Sequence, residues 1–193
     1  MSSLQQKYKC ALITGSSTGL GLALSEMLLE EGITVVGISR KPENPSLGSK
    51  YHPVSFDLSN CDKLTAQMEA LFQEFPDIDL IINNAGFGVL SRLEALNFDQ
   101  VHKQYAVMLE APTLIASSAI RHFKKQQAGC LINISSMAVE VPIPLMPIYN
   151  AAKAGLSALS DTLMLDASGD DARYCVIDVR PGDFKTKFAD NMQ

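Results

Sequence analysis

The segment Thr14-Gly-Ser-Ser-Thr-Gly-Leu-Gly21 decides the fold of this 193-residue chain. A short apolar run, residues 9–14, leads into it, and apolar residues at helical spacing follow it as far as Gly32. A second apolar run occupies residues 33–39. Strand, glycine-rich turn, helix and strand in this order predict a βαβ unit with two parallel strands.

The residue types in this turn suit the phosphates of a dinucleotide. Gly15 allows a tight reversal, Gly19 lets the backbone approach a pyrophosphate, and Gly21 permits close packing of the helix on the strand. The amino terminus of the helix adds unpaired N–H groups that favour an anion. A glycine-rich loop without a ligand is the alternative, and the βαβ context favours the phosphate site.

The end of the second apolar run indicates which dinucleotide fits. A carboxylate there accepts hydrogen bonds from the ribose hydroxyls of NAD, whereas an arginine pairs with the 2′-phosphate of NADP. This chain reads Ser39-Arg-Lys41 at that point. The sequence therefore predicts a preference for NADP with NAD still possible, and a solvated loop cation is the alternative for Arg40.

The remaining chain continues the alternation of strands and helices. Apolar runs predict four further strands at residues 52–56, 78–82, 129–136 and 173–179. Residues 97–127 predict one long helix or two, with a kink or break at Pro112. No repeat or linker divides residues 1–193, so we expect a single domain with a polar leader at residues 1–7.

The pentapeptide Tyr149-Asn-Ala-Ala-Lys153 carries a possible acid–base pair. On a helix, the two outer side chains project from one face, one turn apart. A nearby lysine cation favours a phenolate and lowers the pKa of the phenol from about 10. The pair then suits proton transfer to a carbonyl or alcohol oxygen. Taken alone, the pattern is more typical of an amphipathic helix surface.

Composition excludes several classes of function. A net charge of -5 without a basic cluster argues against nucleic-acid binding. No apolar run approaches the ~20 residues of a membrane span, so we expect a cytoplasmic protein without a membrane partner. The four cysteines and three histidines are dispersed, which indicates core thiols in a reducing compartment and no metal site.

Three features together resemble the short-chain dehydrogenase/reductase family. They are the glycine-rich segment, Asn83-Asn-Ala-Gly86, and a serine, Ser136, thirteen positions before Tyr149. The similarity runs from about residue 8 to residue 187. It implies an α/β fold with a doubly wound parallel sheet between two helix layers, known as the Rossmann fold. It also implies a nicotinamide cofactor, no metal, and a homodimer or homotetramer.

The resemblance also implies a role for each site residue. Ser136 would hold the substrate oxygen, Tyr149 would exchange a proton with it, and Lys153 would lower the pKa of Tyr149. A serine that only caps local backbone is the alternative for Ser136. Cofactor contacts are implied for Gly15, Ser17, Thr18, Gly19, Leu20 and Gly21 around the pyrophosphate, Arg40 at the 2′-phosphate, Asp57 and Leu58 at the adenine, Asn84, Ala85 and Gly86 near the adenosine ribose, Tyr149 and Lys153 at the nicotinamide ribose, and Pro181, Gly182 and Thr186 at the carboxamide.

Two departures from the family pattern affect the expected activity. Met108 stands where the family has an asparagine that holds a water for a proton relay, so we expect slower turnover, another water path or none. The family continues past Thr186 with a substrate-covering segment and a further edge strand, whereas this chain stops at Gln193. We therefore expect the sheet to lack its final edge strand, with either an open site or a truncated form.

The sequence thus predicts an NADP-preferring oxidoreductase that interconverts a carbonyl and an alcohol on a small or medium organic substrate. A catalytically weak or inactive NADP-binding protein, acting as a sensor or interaction partner, is the alternative. A structural oligomer built on residues 97–127 is a weaker third reading. Apolar side chains in and near the loop at residues 137–147 predict either an apolar pocket wall or packing beneath the loop. These side chains are Val141, Ile143, Leu145, Met146, Phe87 and Leu90.

Overall fold

The computed structural model describes residues 3–42, 47–169 and 173–182. Within these residues the strands are β1 Cys10–Thr14, β2 Thr34–Ser39, β3 Tyr51–Ser55, β4 Ile78–Asn83, β5 Gly129–Ile134 and β6 Tyr174–Val179. They form one parallel sheet in the order β3-β2-β1-β4-β5-β6. The chain builds the sheet outward from β1 to one side and then from β4 to the other, which confirms the predicted doubly wound α/β fold.

Helices cover both faces of the sheet. Their bounds are α1 Ser3–Lys7, α2 Gly19–Glu30, α3 Cys61–Glu74, α4 Phe98–Tyr105, α5 Ala111–Gln126 and α6 Pro147–Gly169, with a π-helical segment at Ala106–Glu110. Apolar residues of α3, α5 and α6 form one core with the sheet, and those of α1 and α2 form a second core on the opposite face. The molecule is therefore a three-layer α/β/α structure.

Burial along the strands follows their places in the sheet. Every residue of the central strand β1 is buried, as expected of a strand with helices on both faces. In the edge strand β3 only Tyr51 is buried, and the other four residues are half-buried or exposed. Its Pro53 is compatible with this place, because an edge strand leaves one row of backbone groups unpaired.

The long helical region changes its helix type before Pro112. An Asn97–Gln100 capping box begins α4. The π-helical turns then lead into α5, and Pro112 lies in the first turn of α5, where proline is common. The ring of a proline crowds the carbonyl four residues earlier, which here belongs to Met108 within the π-helical segment. Where a kink or break was predicted at Pro112, the structure has this change of helix type ahead of it, and the backbone at both junctions stays right-handed helical.

The amino-terminal leader is partly helical, which its polar composition did not predict. The backbone N–H of Tyr8 donates to the carbonyl of Leu4 at 2.8 Å, which closes the last turn of α1. Leu4 and Tyr8 pack against the core between α2 and the sheet. This tertiary contact stabilises a helix that is too short to be stable alone.

The carboxyl ends of β1 and β4 meet where the winding direction changes, and this crevice is where open α/β sheets bind their ligands. In the described residues β6 lies at the opposite edge of the sheet from β3. The expected lack of a final edge strand concerns positions outside the described residues. Thr186 lies outside them as well. No helix in the described residues is long and apolar enough to cross a membrane.

Candidate active site at the carboxyl edge of the sheet

The glycine-rich turn at the end of β1 is tight and leaves no room for side chains. Gly15 has a φ of +70° and Gly19 one of +58°, both in the left-handed region that favours glycine. The Gly15 N–H donates to the Ile38 carbonyl at 2.8 Å, which joins the turn to β2. A Cβ at Gly21 would collide with the Gly15 carbonyl oxygen and lie 2.6 Å from the Asn84 amide nitrogen. Gly21 thus packs against the turn itself, whereas the sequence predicted packing on the strand.

The start of α2 lies directly behind this turn. Thr18 occupies the N-cap position with extended backbone, and its side chain makes no capping hydrogen bond. Ser17 and Leu20 are half-buried, whereas Thr18 and Gly19 are exposed. The exposed amino terminus of α2 therefore presents backbone N–H groups and a partial positive charge beside the glycines.

The loop after β4 is locked to the glycine-rich turn. The Asn84 side-chain amide donates to the Thr14 carbonyl at 2.9 Å. The Thr14 hydroxyl accepts from the backbone N–H groups of Asn84 and Ala85, each at 3.0 Å. Asn84 and Ala85, predicted to lie near the adenosine ribose, thus hold the glycine-rich turn and the loop after β4 together at the ends of neighbouring strands.

The predicted adenosine end is formed by the ends of β2 and β3. Arg40 is exposed at the end of β2, and the neighbouring Ser39 is 8% exposed. The Ser39 hydroxyl is buried without a hydrogen-bond partner among the described residues. Leu58, predicted at the adenine, is 7% exposed and belongs to the core, so little of its side chain is open at this end. A buried hydroxyl without a partner is rare, and a ligand that reached this point would satisfy it.

Asp57 is held in one orientation beside Leu58. Its carboxylate accepts from the backbone N–H and the hydroxyl of Ser59, at 3.0 and 2.8 Å. Partial burial acts to raise the pKa of Asp57, but the bonds from Ser59 and the charges of Lys103 and Arg40 outweigh it and lower the pKa below its ordinary value. Asp57 is therefore ionised at neutral pH.

Ser136 and the helix α6 meet at the carboxyl end of β5. Ser136 is the N-cap of a short 3₁₀ turn, Met137–Val139, and its hydroxyl accepts from the Ala138 N–H at 3.0 Å. Ser136 and Tyr149 are both 7% exposed. Ser136 thus makes the local backbone hydrogen bond that its alternative interpretation predicted. The residue also lies at the edge of the sheet where the site is predicted.

Lys153 is buried one helical turn after Tyr149. It is only 4% exposed, and its Nζ donates to the Ile134 carbonyl at 2.6 Å. The Nζ lies 5.9 Å from the centroid of the Tyr149 ring. Burial lowers the pKa of Lys153 to about 8, and the negative charge of Asp178 acts in the opposite direction. A lysine this deeply buried is unlike the solvated helix surface that Tyr-x-x-x-Lys alone would favour.

Met108 faces the same space as Lys153. It belongs to the π-helical segment and is fully buried. A Cβ built on Gly86 would lie 3.5 Å from the Lys153 Nζ and 3.6 Å from the Met108 sulfur. The ammonium and the thioether therefore both border Gly86, so no amide side chain stands at this position next to Lys153.

Pro181 and Gly182 follow β6 and lie near the same loop. The Met137 N–H donates to the Pro181 carbonyl at 2.9 Å. A Cβ at Gly182 would lie 3.3 Å from the Met137 sulfur. Both predicted carboxamide contacts thus adjoin the turn after Ser136, whereas the third, Thr186, lies outside the described residues.

Two loops present apolar side chains beside this edge. The Ser91 N–H donates to the Leu145 carbonyl at 2.8 Å, which joins the loop after β4 to the loop before α6. Large apolar side chains are exposed here, namely Leu90, Met137, Val141, Ile143 and Leu145. Met146, which was also predicted for the pocket wall, is only 1% exposed and packs under the loop instead.

Sequence reasoning missed two polar clusters that support the site. Asn83 donates to the Asn133 side chain at 2.9 Å, and Asn133 donates to the Ser160 hydroxyl at 2.8 Å, which ties β4, β5 and α6 together in the core. Arg180 joins Asp178 at 2.8 Å and Glu140 at 2.6 Å, next to the end of β6. The signal that could have revealed the asparagine cluster is the presence of Asn83 and Asn133 within strongly apolar strands. The cluster around Arg180 has no local signal, because it depends on contacts between distant segments.

Comparisons with known proteins agree with this architecture. The family model for short chain dehydrogenase matches residues 9–193. An uncharacterized oxidoreductase of Schizosaccharomyces pombe is 31% identical over 193 residues, covering 98% of this chain and 66% of that protein. A 3-ketodihydrosphingosine reductase of Bacteroides thetaiotaomicron is 33% identical over 180 residues, covering 93% of this chain and 65% of that protein. The chain thus spans just under two thirds of the length of these relatives.

Solved structures share the fold. A 3-ketoacyl-(acyl-carrier-protein) reductase from Brucella melitensis complexed with NADH matches with a TM-score of 0.88 at 23% identity, over 97% of this chain and 81% of that one. A metagenomic short-chain oxidoreductase in complex with NADP matches with a TM-score of 0.84 at 26% identity, over 93% and 83%. Because the family match extends over nearly the whole sequence and the sheet has the same architecture, this chain belongs to the short-chain dehydrogenase family of oxidoreductases.

Proposed function

We propose that this protein is an NADP(H)-preferring oxidoreductase that interconverts a carbonyl and an alcohol, with Ser136, Tyr149 and Lys153 as its catalytic residues. The observation that carries the proposal is the burial of Lys153, whose Nζ lies beside Gly86 and 5.9 Å from the centre of the Tyr149 ring. A buried cation next to a phenol, at the edge where the glycine-rich turn lies, is the arrangement that proton transfer to a substrate oxygen needs.

The residues at this edge fit a dinucleotide. Gly15 and Gly21 leave a cradle that any Cβ would fill, so a diphosphate can approach the backbone closely. The amino terminus of α2, uncapped by Thr18, offers N–H groups and a favourable dipole to the phosphates. The unpartnered Ser39 hydroxyl is a further hydrogen-bonding group at the adenosine end.

The preference for NADP rests on Arg40. It is exposed at the end of β2 beside another exposed cation, Lys41, and the end of β2 carries no carboxylate that would repel a 2′-phosphate. Asp57, an acid in the loop after β3, already accepts two hydrogen bonds from Ser59. A guanidinium can make bidentate bonds to a phosphate, which gives the selectivity a geometric basis.

In the proposed reaction the bound nicotinamide supplies or accepts a hydride, and the protein supplies placement and proton transfer. Ser136 orients the substrate oxygen, and Tyr149 donates its hydroxyl proton to that oxygen in the reductive direction. Lys153 favours the resulting phenolate through its charge. Because the pKa of Lys153 is about 8, the side chain remains mostly protonated at neutral pH, as this role requires.

We propose a substrate with a substantial apolar portion. The loops after β4 and before α6 carry exposed apolar side chains that would contact such a portion, namely Leu90, Val141, Ile143 and Leu145. The Bacteroides relative is named for reduction of 3-ketodihydrosphingosine, a long-chain ketone, so that compound is a suitable first probe. We further propose a homodimer or homotetramer, as the resemblance to the family implies.

Met108 favours one alternative, an NADP-binding protein with little or no catalytic activity. Its thioether lies by Gly86 and Lys153, where an asparagine would hold a relay water. A thioether is only a weak hydrogen-bond acceptor and does not donate. In this alternative the dinucleotide controls binding to another molecule, and Tyr149 and Lys153 have no turnover to support.

The deciding experiment has two stages. The purified 193-residue protein is titrated with NADPH and NADH while cofactor fluorescence is followed, and NADPH should bind at least about tenfold more tightly, as expected for one charge-assisted pair. NADPH oxidation is then measured with a ketone panel that includes 3-ketodihydrosphingosine. Tight NADPH binding without turnover would favour the alternative, and absence of binding to both dinucleotides would refute both proposals.

A further inference from the structure

Two cysteines face each other across the last pair of strands. Cys130 of β5 and Cys175 of β6 are direct partners in the register of the parallel sheet. Neighbouring strands are about 4.8 Å apart, and partner residues on parallel strands point to the same face. A disulfide joins Cα atoms about 4.4–6.8 Å apart, so this pair can be bridged without a change of register.

Both side chains pack against the core between α2 and the sheet. Cys130 is 1% exposed, whereas Cys175 is partly exposed at the edge of the described sheet. Both are free thiols. The pair therefore combines one partly exposed cysteine with a second cysteine that lies next to it in the interior.

The surroundings favour ionisation at the exposed member. A hydrogen bond from the Cys130 thiol, opposed by partial burial and aided by the charge of Lys7, lowers the pKa of Cys175 below its ordinary value. The interaction with Cys175 and burial raise the pKa of Cys130. Cys175 is thus the better nucleophile at neutral pH, and Cys130 keeps its proton until a later step.

Lys7, the last residue of α1, and Tyr8, which follows it, lie near this pair. Burial, together with the neighbouring thiols and Asp79, raises the pKa of Tyr8, so its phenol stays protonated and hydrogen-bonds toward Cys130. Lys7 is exposed above the same ring, with its Nζ 5.3 Å from the Tyr8 centroid. The charged and titratable groups that act on the two sulfurs are therefore Lys7 and Tyr8, and Asp79 acts on Tyr8.

The other two cysteines lack these features. Cys10 is buried in the core on the opposite face of the sheet, and burial with the charges of Asp79 and Asp77 raises its pKa to about 12. Cys61 lies on α3, where burial and Glu110 raise its pKa to about 11. Cys61 is nonetheless partly exposed, so it is a matched control for Cys175.

We propose that Cys130 and Cys175 form a reversible redox pair, in which a small disulfide such as oxidised glutathione converts the two thiols to an intramolecular disulfide. The Cys175 thiolate attacks one sulfur of glutathione disulfide, which forms a mixed disulfide and releases one glutathione thiolate. Cys130 then loses its proton to solvent, and its sulfur attacks Cys175 and releases the second glutathione. The protein loses two electrons and two protons, and the glutathione disulfide is reduced to two thiols.

The test exposes the full chain to glutathione disulfide at neutral pH, blocks remaining thiols with iodoacetamide, and digests without reduction for mass spectrometry. A peptide pair joined through Cys130 and Cys175, released by dithiothreitol, is the expected product. Cys130→Ser should accumulate a glutathione adduct on Cys175, because the second step is lost. The Cys61→Ser control should form the same linked pair as the wild type.

A second measurement uses the wild-type protein, so its result does not depend on whether the variants fold. Under limited alkylation of the native protein, Cys175 should react at least about tenfold faster than Cys61, since the thiolate fraction at neutral pH falls about tenfold for each unit by which the pKa rises. Equal rates, or oxidation that yields only links between other cysteines or between chains, would overturn the proposal. So would a folded wild type that forms no linked peptide.

Discussion

Replacing Thr14 by valine should destabilise the protein through the lock between the glycine-rich turn and the loop after β4. The Thr14 hydroxyl accepts from two backbone N–H groups, those of Asn84 and Ala85, each at 3.0 Å. Thr14 itself is 2% exposed. Valine has nearly the same shape, so the substitution removes the acceptor and leaves both donors unsatisfied with little change in packing.

The magnitude follows from the two lost bonds. An unsatisfied buried donor costs about 1–3 kcal/mol. Asn84 and Ala85 are half-buried, so water reaches them in part and the lower end of that range applies to each. We expect the free energy of unfolding to fall by about 2–3 kcal/mol, a large fraction of the 5–15 kcal/mol of a typical domain.

Urea denaturation followed by circular dichroism measures this change. With a slope of about 2–3 kcal/mol/M, the midpoint of Thr14→Val should fall by about 1 M. Thr14→Ser keeps the hydroxyl and loses one methyl group, at about 1 kcal/mol. Thr162→Val removes an exposed hydroxyl that donates to the Ala158 carbonyl at 3.0 Å, and should change little. A valine variant as stable as the serine variant would refute the role of the hydroxyl.

The remaining predictions concern the site. Tyr149→Phe should lower carbonyl reduction by about 10²–10⁴-fold with NADPH affinity nearly unchanged, and retained turnover would remove Tyr149 from the acid role. Arg40→Asp should lower the ratio of NADPH to NADH affinity by about tenfold or more, whereas Lys63→Asp on α3 should leave it unchanged; an unaltered ratio would reject Arg40 as the selector. Met108→Asn should raise turnover if a relay is missing, and no gain in a folded variant would point to another water path. The pKa of Lys153 is lowered from 10.5 to about 8, so the unfolded chain binds more protons between these values and the free energy of unfolding should rise with pH across that window. Lys153→Met should lack this rise in urea titrations, and an identical pH dependence in both proteins would contradict the shift.

The sequence predicted the fold well, because the relevant signals are local. Each strand was recognised from a run of apolar residues bounded by turn residues, and the structure places the bounds of all six within two residues of those expected. Gly15 was expected to allow a tight reversal, and it adopts a left-handed backbone conformation. Gly19, expected to let the backbone approach a pyrophosphate, adopts one too. A helix carrying Tyr149 and Lys153 was expected as far as about residue 167, and the structure has it as α6. The leader was harder, since α1 depends on the packing of Leu4 and not on its own composition.

By itself the sequence therefore determined the order of the elements, the glycine-rich turn, and the residue types available at the carboxyl edge. Only the tertiary structure decided which distant groups meet there. The Thr14 hydroxyl serves residues 70 and 71 positions later, and Cys130 and Cys175 become partners through the register of β5 and β6. The burial of Lys153 likewise depends on how α6 packs against the sheet and the π-helical segment. Local patterns specify secondary structure because they act over a few residues, whereas such contacts arise only after strand order and register bring separate segments together.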